Sequence, residues 1–329
     1  MIRFQPSWIL ESLPPDAAKS LFIPLAPHPA SLLWFKRLGI RMYVNDPVES
    51  RAMLLRTMLA DGERFSEQNR RRFNRVIKKS LDLQMNPFRN WENKPFSSSQ
   101  LDYLFYWREA AFEIPEPAQR DIFWSAVAGV MAHWMAMAAA GASPVYPPDE
   151  LLACMLRRRE EQLFETAEKV YALHLPIDEL GEEVEAEVFV VPLQFQGRKP
   201  FETDQDVMYH AWFRGDPDLH AALGEIEAAR KGWVFDWKTG CDVATMLAKS
   251  GKAAYAVFIW SGADLPPRWH EENVAARLRE AFSPRFPESV LRVKAADASH
   301  DDYDFLLTMA SPGHPIPADH RSYSPDNMG

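Results

Sequence analysis

Cysteine is nearly absent. The 329 residues hold two, Cys154 and Cys241. They are too few and too far apart for a disulfide framework or a thiolate metal cluster, and they fit a reducing compartment. Glycine is scarce too: 14 residues against 26 prolines, where ordinary usage is about 7% glycine. No P-loop, nucleophile elbow or HExxH pattern occurs. His300-Asp301-Asp302, and His210 close to Trp212, lack the spacing of metal ligands, so no metal is expected. Positive charge is in the minority, with 37 Lys and Arg against 46 Asp and Glu, a net charge of -9. That argues against a broad nucleic-acid-binding surface and leaves room only for a local basic groove. The first residues carry no charged-then-apolar leader pattern, from which a cytoplasmic location is expected.

What is present is an apolar fraction of 47%, enough for a sizeable core in one large α/β domain with an insertion, or in two domains. Residues 21–46 organise the reading. Phe22 and Ile23 form a strand, 26–29 a sharp loop, 30–38 an amphipathic helix that Gly39 ends, and 41–44 a second strand closing at Asn45-Asp46. Strand, loop, helix, strand is the opening unit of a nucleotide-binding sheet, and an acidic residue roughly 20 positions past the loop is where such folds grip a ribose. Asp46 sits there. It also fits the N-cap of the next helix, with Pro47 in the first turn and Glu49 at the capping-box position. The loop itself carries Pro27 and Pro29 where close ligand approach favours glycine.

Ser66 starts a helix with Arg70, Arg71, Arg72, Arg75, Lys78 and Lys79, either a solvated face or a phosphate contact. A serine cluster caps a helix over 100–112. Residues 118–140 approach a membrane span in length, yet they open on Arg120-Asp121, contain His133 and stand alone, so a buried central helix is expected. A charged helix follows over 149–169, making 62–175 helical throughout. Alternation then resumes. Strands are expected at 188–191, 233–236, 253–260, 290–293 and 303–309, helices at 219–229, 241–249 and 270–282, and a loop around Met208-Tyr209-His210 and Trp212-Phe213. Asp236 with Lys238 reads as a surface turn, and His270 with Glu271 and Glu272 as a helix opening. Residues 311–329, rich in Pro, Ser, His and Asp, read as a disordered tail.

The order of these pieces resembles the Dam-type DNA adenine methyltransferases, which methylate the exocyclic amino group of adenine. The resemblance rests on PSWILESLP before the first strand, LAPHP (Leu25 to Pro29) in place of an FxGxG-type cofactor loop, WFKRLG (Trp34 to Gly39) and Asn45-Asp46. It continues with PLQF (Pro192 to Phe195) in place of the catalytic DPPY, then Tyr209-His210, AAYAVFIWSG and DDYDFLLTM. It spans most of residues 6–310 and implies an α/β Rossmann-like S-adenosylmethionine-dependent methyltransferase fold. Residues 1–61 and 176–310 would form its core, 62–175 a helical insertion and 311–329 the tail.

The departures from that pattern set the functional expectation. Pro27 and Pro29 add rings and delete two backbone donors in the cofactor loop. Pro192 has no side-chain acceptor for the target amino group, Leu193 is not proline, Gln194 is polar but out of register, and Phe195 keeps a ring without the hydroxyl. Loss of both motifs implies a pseudoenzyme. No cofactor is then expected, and the fold would serve as a scaffold for a partner protein such as an active methyltransferase, or for DNA, with no membrane association. The alternatives are a divergent active adenine methyltransferase binding S-adenosylmethionine unusually, with Asp46 at the ribose, and an accessory protein of a phage-defence or mobile element.

Overall fold

Short β-branched and aromatic runs between polar turns produce the strands of the chain: β1 (Ser20–Ile23), β2 (Arg41–Asn45), β3 (Val170–Leu173), β4 (Val188–Pro192), β5 (Gln194–Phe195), β6 (Val234–Phe235), β7 (Tyr255–Ser261), β8 (Glu288–Ala295) and β9 (Tyr303–Ala310). The computed structural model describes residues 6–27, 29–59, 64–70, 86–92, 95–143, 145–162, 164, 166, 168–176, 179–180, 184–195, 204–231, 234–235, 253–265, 270–295 and 303–317. Seven strands form a mixed sheet in the order β3-β2-β1-β4-β7-β9-β8. From β3 to β7 every neighbour is parallel, while β9 runs antiparallel to both β7 and β8. The protein is therefore α/β, as the alternation of elements predicts. β4 is buried along its whole length and β7 at all but its last residue, as expected of strands covered on both faces.

The opening unit forms as expected. β1 lies beside β2 in parallel, Leu21 opposite Met42 and Phe22 opposite Tyr43. After α1 (Pro6–Glu11), the helix α2 (Pro29–Arg37) joins these two strands. Gly39 closes α2 at φ 69°, with its own N–H bonded to Lys36 and that of Ile40 to the Phe35 carbonyl, a left-handed cap that a side chain would strain. β2 and β3 lie on one side of β1, and β4 and β7 on the other. The order of connection thus reverses between β1 and β4, the switch point at which ligands of open α/β sheets bind.

Two compact units result. The sheet unit holds residues 1–47, 167–199 and 230–329, and a helical unit holds 48–166 and 200–229. The expected division at 61 and 175 is displaced at both ends. Helix α3 (Glu49–Leu59) packs in the helical unit, and the sheet resumes earlier, at β3. β3 escapes notice in the sequence because it is a four-residue edge strand, only half-buried, and offers no apolar alternation. The helical unit continues with α4 (Ser98–Phe112), α5 (Pro117–Ala139), α6 (Pro148–Gln162), α7 (Asp204–Arg214) and α8 (Leu219–Arg230), whose last residue passes to the sheet unit. α7 replaces the loop expected around Tyr209. Its acids Asp204 and Asp206 suit a helix start, and Met208, Tyr209, His210, Ala211 and Trp212 are all buried.

α5 lies at the centre of the helical unit. It is the one helix of membrane-spanning length among the described residues, and 56% of its most apolar window is buried. Trp134 stacks on Trp107 of α4 at 5.7 Å, and Trp124 meets Phe213 edge-on at 4.5 Å. A reciprocal capping box starts α4: Ser97 Oγ accepts from Gln100 N–H, and the Gln100 side chain accepts from Ser97 N–H at 2.8 Å. Back in the sheet unit, α9 (Glu271–Phe282) covers one face through Val274, Ala275, Leu278 and Phe282.

The expected tail is partly ordered. Ser311 N–H bonds to Ala254 O at 2.9 Å, Tyr255 donates to the Pro315 carbonyl, and Arg292 donates to that of Pro317 at 2.8 Å. These bonds fasten 311–317 to the sheet. Residues 318–329, Asp236 with Lys238, the helix expected at 241–249, His300 to Asp302 and basic residues 71–79 lie outside the described residues.

Candidate functional site

The carboxyl ends of β1, β2, β3 and β4 meet at the switch point, bringing together the stretches that the sequence singled out. Asn45, at the end of β2, is wholly buried and ties three strand ends. Its Nδ2 donates to the carbonyls of Pro24 and Leu175, both at 3.2 Å, and its Oδ1 accepts from Leu175 N–H at 2.9 Å. The loop after β1 is drawn inward: Pro24, Leu25 and Pro27 are buried. Pro29 is the first residue of α2, a position that tolerates proline because its N–H would have no intrahelical partner. The same substitution removes one of the free helix-start donors to which an anionic or polar ligand would bind.

Asp46 follows Asn45 and is 0% exposed. Its N–H donates to Leu173 O at 3.3 Å, and His174 Nδ1–H donates to its carbonyl at 3.2 Å. Its carboxylate lies 3.8 Å from the guanidinium of Arg230, whose side chain is 5% exposed. Asp46 is therefore not the cap of α3. Val48 receives the first intrahelical bond, from Ala52 N–H at 2.9 Å, and α3 begins at Glu49. A ribose would have to reach a carboxylate with no accessible surface and displace a buried cation from it.

The PLQF stretch is equally committed to structure. Pro192 completes β4 opposite Ile259, and Leu193 N–H bonds to Ile259 O at 2.8 Å. Gln194 and Phe195 then form β5, parallel to β6, in a separate two-stranded sheet. Leu193 and Phe195 are 1% and 4% exposed and belong to the same apolar core as Phe189, Phe258 and Trp260. The expected stacking ring of Phe195 is thus not presented to a ligand. Alternation along an extended strand turns residues 193 and 195 to one side, and that side is the core. Around these strand ends the acidic group is covered, the loop has no backbone N–H at 27 or 29, and no acceptor side chain stands at 192.

The Tyr209-His210 pair lies within the helical unit. His210 joins a line that no motif announces. Ser50 Oγ lies 2.9 Å from His210 Nδ1, and Glu225 Oε2 lies 3.1 Å from Nε2. Because a carboxylate only accepts, Nε2 carries the proton of the neutral ring and Nδ1 accepts from Ser50. Hydroxyl, imidazole and carboxylate suggest acyl transfer, but Ser50 is 1% exposed, so the line acts as a tie between α3, α7 and α8. Burial pushes the Tyr209 phenol well above its ordinary value, the nearby Arg159 opposing. Arg70, the described end of the basic run, is bonded to Glu160 at 2.5 Å, a structural role. Among the described residues no group of three His, Cys, Asp or Glu converges as metal ligands.

The chain matches no protein-family model, and a search of curated proteins found no match. Neither Arg230 nor Ser50 could be singled out in the sequence, since each acquires its meaning only from a partner distant along the chain.

Proposed function

We propose that the protein is a methyltransferase-like scaffold that has lost methyl transfer, resembling Dam-type DNA adenine methyltransferases in framework and acting by binding a partner protein, such as an active methyltransferase, or DNA. The observation that carries this reading is the inward commitment of both motif positions. Asp46 is sealed against Arg230, and Leu193 and Phe195 are core residues. Five parallel strands reversing at β1 and β4, closed by an antiparallel β9, support the Rossmann-like methyltransferase framework.

The test is calorimetric titration with S-adenosylmethionine, together with an assay for labelled methyl transfer to unmethylated DNA. The expected result is no binding in the micromolar range and no transfer. Micromolar binding or measurable transfer would instead establish the divergent active enzyme.

A further inference from the structure

A cleft lies wholly within the helical unit. It has a volume of 390 Å³ and is lined by Gly129, Ala132 and His133 of α5 and by Met155, Arg158 and Arg159 of α6. Both helices contribute residues at i, i+3 and i+4, one stripe from each. Gly129 permits the close approach of the stripes, because a Cβ there would lie 3.2 Å from Met155 Sδ. The lining holds two guanidiniums and an imidazole but no carboxylate. This is unusual in a chain of net charge -9. Arg158 is exposed and has no carboxylate partner among the described residues. Burial holds Arg159 below the usual arginine range, with the Tyr209 phenol opposing and the like charge of Arg158 adding to the shift. A bound anion would relieve both destabilising effects.

We infer that this cleft binds a small phosphorylated molecule of mononucleotide size, with Arg158 and Arg159 on the phosphate, His133 as a further donor and Met155 against the apolar part. Its volume lies within the range of about 300–1,000 Å³ typical of ligand sites. The planar fork of arginine matches phosphate oxygens, and a thioether adapts to a flat ring. A cleft of this volume takes a single nucleotide rather than a stretch of duplex.

The test uses the full chain, titrated calorimetrically with adenosine monophosphate, adenosine and a short DNA duplex, alongside Arg158→Glu and Arg158→Lys. The monophosphate should bind and adenosine should not. Arg158→Glu should weaken binding roughly tenfold or more, and Arg158→Lys should retain part of it. Unaltered melting temperatures would show that the exposed substitutions leave the fold intact. Four results would each overturn the inference: no monophosphate binding at about 1 mM, equal binding of adenosine, unchanged affinity in Arg158→Glu, or binding of the duplex alone.

Discussion

Asp46 and Arg230 are two buried charges facing each other across 3.8 Å. Removing the guanidinium takes the facing opposite charge from a buried carboxylate, so Arg230→Met should cost about 3–5 kcal/mol. Asp46→Asn combined with Arg230→Met should recover most of that loss, a non-additivity that chemical denaturation of the wild type, both single variants and the double variant measures directly. Placing a DPPY tetrapeptide at 192–195 meets an obstacle of the same kind. Pro192→Asp places a carboxylate at a buried strand end, and Leu193→Pro deletes the N–H that bonds to Ile259 at 2.8 Å. With Gln194→Pro and Phe195→Tyr added, the variant should lose at least about 2 kcal/mol of stability and should transfer no labelled methyl group. Transfer by that variant would show that the proline loop still admits the donor. Tyr209 presents a simpler case. Its hydroxyl is buried with no hydrogen-bond partner among the described residues, so Tyr209→Phe should be neutral or stabilising by about 1 kcal/mol. The folded-state pKa is raised, so the contribution of the neutral phenol is complete below the unfolded value of about 10 and is lost as pH rises above it. Alkaline unfolding should accordingly shift to higher pH in Tyr209→Phe.

At the scale of elements, α5 decides the helical unit and β4 with β7 the sheet. Trp134 of α5 is 1% exposed and stacks on Trp107. Trp134→Ala should therefore cost about 3–5 kcal/mol, read as an earlier loss of helical signal on heating. Ser97→Ala, by contrast, removes only one half of a capping box and should cost about 1 kcal/mol. The ratio of the two losses separates packing from capping as the source of helical stability. The buried fraction of α5 also accounts for its near-transmembrane composition: a helix covered on most sides needs little polar surface.

The whole molecule consists of a sheet unit interrupted twice in sequence by a helical unit. Ligand that binds only the folded chain raises its melting temperature. S-adenosylmethionine should leave Tm unmoved, because Asp46 is inaccessible and the β1 loop is drawn inward. A scan at saturating cofactor that shifted Tm by several degrees would return the protein to the active enzymes.

The amino-acid sequence alone determined the α/β class, the pairing of β1 with β2, the turn at Gly39, the Ser97 cap and the burial of α5. Each of these is local: a period, a left-handed glycine or a capping residue fixes conformation within a few neighbours. It also singled out the loop with Pro27 and Pro29 and the PLQF stretch, because missing side chains and missing N–H groups are visible without coordinates. Tertiary structure alone decided what those positions do instead. Asp46 fitted both a cap and a ribose contact in the sequence, and only the approach of Arg230 from the far end of α8 made it a sealed ion pair. Phe195 kept a ring suited to stacking, and only strand alternation at β5 turned that ring into the core. The Ser50–His210–Glu225 line and the basic cleft between α5 and α6 were invisible for the same reason. A side chain's partners across a fold depend on packing between segments far apart in the chain, which no local pattern encodes.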